Sequence, residues 1–144
     1  MRLIHLVGLL AITFVSSISV AAPLISAKEA ALPNAKNVLA TRGISRGPII
    51  KLNAPASETV ESPFDFRMTF EPRGDAKIDP DSVKVIYLKF PFVDLTPRVK
   101  SAISSSGIDF PKAEAPPGNH SIRVTVKDTE GRETNAIFNI EVVK

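Results

Sequence analysis

Cysteine is absent from the whole chain, which excludes a disulfide framework, a thiolate metal ligand and a lipid anchor carried on an N-terminal cysteine. Tryptophan is absent too, tyrosine occurs once, and the only histidines are His5 and His120. A histidine-rich zinc or copper centre cannot be assembled from that inventory. A Ser-His-Asp hydrolase would have to use His120, but Asn119-His120-Ser121 reads as a turn leading into a strand, with no nucleophile elbow beside it. His120 is therefore expected to face solvent, and no catalytic residue is assigned.

Charge of one sign is also scarce. Lysine and arginine exceed acidic residues by 18 to 15, and the two signs alternate without a like-charge run. A nucleic-acid ligand requires a concentrated positive face, so none is expected. Long apolar runs are missing except near the start. Arg2 leads into the apolar stretch 6–14, followed by Ser16, Ser17, Ser19 and the small-residue exit Val20-Ala21-Ala22. This order is that of a secretory signal peptide, with cleavage expected after Ala21. The stretch is shorter than the roughly 20 residues that span a bilayer, so no stable span is expected after cleavage. Export without disulfides fits a bacterial periplasm better than a small animal secreted domain, and the expected location is periplasmic or secreted.

Three regions follow: 1–21 as signal peptide, 22–47 as a flexible leader, and 48–144 as one folded domain of ordinary size. The leader is poor in large apolar residues. Ser26-Ala27-Lys28-Glu29 forms a capping box for a turn or two of helix, which Pro33 ends.

Beyond Pro48 the texture becomes short β-rich runs bounded by Pro, Gly, Asp and Asn, the spacing of an all-β sandwich. Phe64, Phe66, Met68 and Phe70 alternate with Asp65, Arg67 and Thr69, a strand with one wet face. Asp79-Pro80-Asp81-Ser82 reads as a type I turn. Residues 83–92 are apolar enough for a central strand, with Pro91 marking its end or a bulge. Val93, Asp94, Leu95 and Thr96 read as a short edge strand, and 97–103 as a helical turn. Residues 107–111 form another short strand. Ile122, Val124 and Val126 point inward from the next, which Gly131 turns into a final strand carrying Ala136, Phe138, Ile140 and Val142 on one face. No long helix intervenes, so two packed antiparallel sheets are the simplest arrangement. Phe66, Met68, Phe138 and Ile140 are expected in the core, and Arg67, Thr69, Asn139 and Glu141 in solvent.

The Pro48-initiated first strand, the Ser62-Pro63-Phe64 entry to the second, and the late segment from Pro117-Gly118 through Asp128, Gly131 and Arg132 resemble the bacterial immunoglobulin-like modules. The resemblance covers about the last two-thirds of the chain and implies an immunoglobulin-like antiparallel β-sandwich. It lacks the paired cysteines and core Trp of antibody-type domains. Such modules serve as spacers, adhesion units and accessory domains, so the resemblance implies a fold more than an activity. Small periplasmic copper carriers have a similar sandwich, but their histidine sites have no counterpart here.

The expected function is that of a non-catalytic exported module presenting a sandwich face or edge strand to a protein or cell-envelope partner. Edge-strand addition needs no catalytic group, and Val93, Asp94, Leu95 and Thr96 are the candidate contacts, flanked by Pro91 and Pro97. The alternative is a calcium- or small-ligand-binding periplasmic carrier, with Asp79, Asp81, Asp94, Asp128 and Glu130 as candidate ligands where turns bring them together. No cofactor is expected. The aromatic series Phe64, Phe66 and Phe70 alternates with charged or polar residues and belongs to a core rather than to a sugar-stacking platform.

Overall fold

A computed structural model of the chain describes residues 23–38 and 45–144. The expected signal peptide and its cleavage point lie outside these residues. No helix among the described residues is long and apolar enough to cross a membrane.

The chain is all-β. In order it contains α1 (Ala27–Ala30), β1 (Ile49–Ala54), β2 (Thr59–Glu61), β3 (Phe64–Glu71), β4 (Ile78–Tyr87), β5 (Val93–Asp94), α2 (Thr96–Val99) continued by a 3-10 turn at Lys100–Ala102, β6 (Ile103–Ser104), β7 (Gly107–Ala113), β8 (Gly118–Asp128) and β9 (Glu133–Val143). One sheet has the order β1-β3-β7-β6, the other β2-β9-β8-β4-β5. Pairing is antiparallel except for β2, which runs parallel to β9.

Alternation decides which side chains fill the space between the sheets. Phe64, Phe66, Met68 and Phe70 of β3, with Ile108, Phe110 and Ala113 of β7, meet Val83, Val85 and Tyr87 of β4, the inward residues of β8, and Ile140 and Val142 of β9 in one cluster. Phe138 packs against this cluster but is only partly buried. Arg67 stays exposed, its guanidinium bridging Asp65 and Asp109. The β3 and β7 backbones come so close that a Cβ on Gly107 would stand 1.9 Å from the Met68 carbonyl oxygen, and Gly107 has a φ of +149°. Only glycine satisfies both conditions.

Three expectations need correction. Asp79-Pro80-Asp81-Ser82 is not a turn between elements but an irregularity inside β4, where the register to β8 shifts between Asp79 and Lys84. Pro80 lacks the N–H a regular ladder needs. The kink is held by Asp79 Oδ1 accepting from Asp81 N at 3.0 Å, and by Ser82 Oγ donating to Asp79 O at 2.6 Å. The pairing is mixed rather than wholly antiparallel, because β2 joins β9 after the chain has crossed between sheets.

The third correction concerns the leader. Residues 23–38 are docked on the folded domain rather than free of it. Leu24 is fully buried, Ile25 nearly so, and the backbone N–H groups of both donate to Glu114 O at 2.9 and 3.1 Å. The capping box forms, Ser26 Oγ accepting from Glu29 N and the Glu29 carboxylate from Ser26 N. That carboxylate also meets Arg98 of α2, whose guanidinium donates to Leu24 O at 2.8 Å. The sequence contains few large apolar residues here, but two of them, Leu24 and Ile25, complete the core.

Candidate functional site

The most exposed large apolar side chains of the described residues are Phe90 and Phe92, at 73% and 54%. Both lie in the loop 88–92 that joins β4 to β5. Pro91 between them cannot donate to a ladder, so β4 stops at Tyr87 and neither phenylalanine is drawn into the sheet.

The loop is anchored from beneath. Leu88 N donates to Ser121 O at 2.9 Å, extending the contact with β8 by one residue, while Phe90 N donates to Pro33 O at 2.8 Å and Ala35 N to Leu88 O at 3.1 Å. The docked leader thus adds a short antiparallel bridge, Asn34 opposite Lys89. Lys89 is buried, its Nζ donating to Asn34 Oδ1 at 2.7 Å and lying 5.4 Å from the centroid of the Tyr87 ring. An ammonium so placed is satisfied by one hydrogen bond and by the face of the ring.

Under Lys89 lies a buried polar pair. The Tyr87 hydroxyl is 2.8 Å from His120 Nδ1, and His120 Nε2 is 2.7 Å from Pro116 O. A carbonyl only accepts, so Nε2 carries the proton. In the neutral ring Nδ1 is then the acceptor and the Tyr87 hydroxyl donates to it. Burial holds the imidazole below its ordinary pKa, aided by the Lys89 charge and opposed by the Pro116 carbonyl. Burial, with the nearby Glu29 charge, pushes the Tyr87 hydroxyl up to about 12. His120 is therefore not the solvent-facing turn histidine expected of it. It occupies the inward register of β8 that continues through Ile122, and both ring nitrogens are taken up within the fold.

Two clefts border the loop where the leader crosses. One, of about 470 Å³, is lined by Pro33, Asn34, Lys36 and Phe90. The other, of about 330 Å³, lies between Asn34, Val38, Leu88, Ser121 and Ile137. The Arg123 guanidinium sits 5.3 Å from the Phe92 ring centroid, so this ring rests against the outer face of the five-stranded sheet.

The candidate edge is shorter than its sequence suggests. Val93 and Asp94 do form the last strand of their sheet, but Leu95 is fully buried. Thr96 begins α2, its Oγ1 accepting from Val85 N at 2.9 Å. These two residues fold back onto β4 and present no ladder. The longest outermost strand is β1, with six residues.

The candidate calcium ligands do not converge. Asp94 pairs with Ile86 near one end of β4, while Asp79 lies near the other, where Ile78 pairs with Asp128. Asp128 is buried and occupied: Oδ1 accepts from the N–H groups of Glu130 and Arg132, and Oδ2 from Arg132 Nε at 2.7 Å. Burial pushes its pKa up, but these hydrogen bonds and the Arg132 charge outweigh that and hold it below the usual carboxylate value. Its role is to close the β8–β9 hairpin. Glu130 pairs with the same Arg132, and Asp81 is exposed. Among the described residues no three His, Cys, Asp or Glu side chains gather in a metal-holding arrangement.

The aromatic loop was available to sequence reading only through Phe90-Pro91-Phe92. A proline amid apolar residues breaks the alternation and leaves its neighbours without a face to join, so that triplet was the available signal. No protein-family model, curated protein or solved structure matches this chain.

Proposed function

We propose that this chain is an exported, non-catalytic binding module of immunoglobulin-like type, acting in the periplasm or outside the cell. It engages a protein or cell-envelope partner through the β4–β5 loop rather than through an extended edge strand. The observation that carries this reading is the pairing of exposure with anchorage: Phe90 and Phe92 project from a loop held by β8 on one side and the leader on the other. Large aromatic side chains on a fixed backbone bind with little loss of conformational freedom, and such residues dominate interface energetics. The immunoglobulin-like assignment rests on the sequence resemblance and is compatible with two sheets around one core.

A photo-crosslinking residue at position 90, with a control at the exposed Arg67 position on the other sheet, tests this in intact cells. Adducts with an envelope component should form at 90 and not at 67. Equal labelling at both positions, or none at 90, would overturn the assignment of the loop.

A further inference from the structure

The loop carries an electrostatic feature that no single stretch of sequence reveals. Residues 30–57 contain no acidic residue but include Lys36, Arg42, Arg46 and Lys51. Residues 82–93 carry Lys84 and Lys89, and residues 115–127 carry Arg123 and Lys127, again with no acid in either stretch. Short pieces of the three stretches meet at the loop, where 33–35 bond to 88–90 and Leu88 bonds to Ser121, whereas Lys51 and Lys127 lie elsewhere, paired with Glu71 and Glu133. Phe90 consequently shares a cleft wall with Lys36, Phe92 lies against Arg123, and the Lys89 ammonium sits just beneath. Of the acidic groups on these elements, Asp94 stands exposed opposite Ile86 in the sheet, which also pairs with Arg123, and Glu29 is ion-paired with Arg98.

We infer that the occupant of this surface is an anionic membrane surface, with Phe90 and Phe92 entering the headgroup–acyl boundary and Lys36 and Arg123 lying at the phosphate level. This rests on the binding role proposed for the loop and names its partner. The shape of the site favours a bilayer over a folded protein. The two rings stand 73% and 54% exposed on one short loop, Phe92 lying against Arg123, so a rigid partner would need a surface shaped to both, whereas lipid rearranges around exposed side chains. The chemistry agrees, since apolar insertion combined with cationic contacts is how monotopic proteins hold anionic leaflets. Two rings and a few charges give reversible attachment, weaker than a lipid chain combined with a polybasic segment.

The test is co-sedimentation of the processed protein with vesicles of phosphatidylglycerol and phosphatidylcholine in equal parts, against vesicles of phosphatidylcholine alone. Binding to the anionic vesicles should be at least tenfold stronger and should weaken as salt is raised. F90A/F92A should remove at least nine-tenths of it, and K36E should reduce it several-fold, with unchanged circular dichroism spectra. Absence of binding to anionic vesicles, or binding that F90A/F92A leaves intact, would overturn the membrane assignment. Crosslinking from position 90 separates the two levels. Protein adducts without vesicle binding would sink the membrane inference and leave the loop's binding role standing, and no adducts together with no vesicle binding would remove both.

Discussion

Tyr87 and His120 form a buried hydrogen-bonded pair between β4 and β8, their ring centroids 5.7 Å apart and the Tyr87 hydroxyl 2.8 Å from Nδ1. With Nε2 tied to Pro116 O, the imidazole is held in one neutral tautomer directly beneath the aromatic loop. The pair joins the strand that ends at the loop to the strand that supports it, so loop position and core integrity share one set of contacts.

This pair gives a pH signature. Burial depresses the His120 pKa in the folded chain, whereas in the unfolded chain it is about 6.5. Below about pH 6.5 the unfolded state takes up a proton that the folded state resists, so stability is full above that value and falls as the pH drops toward the folded pKa. The Glu29 carboxyl, which the Arg98 hydrogen bond holds at about 2, contributes a loss only once the pH falls below its unfolded value of about 4.3. Urea melts between pH 7.5 and 5 should therefore show a decline belonging to His120. H120Q should lower stability at pH 7.5 by about 1–3 kcal/mol, the cost of disturbing buried hydrogen bonds, and should flatten the profile. A wild-type profile already flat over this range would contradict the neutral buried histidine.

Leu24 is expected to behave as a core residue. It has no exposed surface, so Leu24→Ala should cost about 2–5 kcal/mol. A chain whose leader floats free would show no change in its denaturation midpoint, which makes the midpoint the deciding measurement.

Phe66 and Phe138 should differ. Phe66 has no exposure, whereas Phe138 is only partly buried at the margin of the core. Phe66→Ala should cost about 3–5 kcal/mol and Phe138→Ala less than about 3 kcal/mol, because the penalty rises with the volume of the cavity left behind and a site at the margin leaves a smaller one. Arg67→Ala should cost under about 1 kcal/mol, as exposed ion pairs usually do. Equal destabilisation at positions 66 and 138 in urea would disprove the ranking.

Calcium should leave the thermal midpoint unchanged. Asp94 and Asp79 lie toward opposite ends of β4, and the Asp128 oxygens already accept three N–H groups. A ligand bound only by the folded state must raise the midpoint. Scans in millimolar calcium and in chelator should superimpose; a rise in calcium would show ligands converging from elsewhere.

Local patterning was enough to establish the all-β class and the faces of the best strands. Period-two alternation at Phe64–Glu71 and Gly118–Asp128 needs no tertiary partner: each backbone unit points its side chain opposite to the last, whatever lies across the sheet. The Ser26–Glu29 capping box is equally local, and it forms. What lay beyond reach were properties created by contact between distant segments. His120 looked like a turn residue until the Pro116 carbonyl and the Tyr87 hydroxyl closed over it. The leader looked too poor in apolar residues to fold until Leu24 and Ile25 found a gap beside Glu114. The edge at Val93, Asp94, Leu95 and Thr96 looked open until Leu95 turned into the core and Thr96 bonded back to Val85. The cations around Phe90 and Phe92 are not legible in any one stretch because each contributes a single charge near the loop: Lys36, Lys89 and Arg123. Burial and potential depend on what stands within a few ångströms in space, and in this chain those neighbours come from segments far apart in sequence that meet only once the sheets have packed.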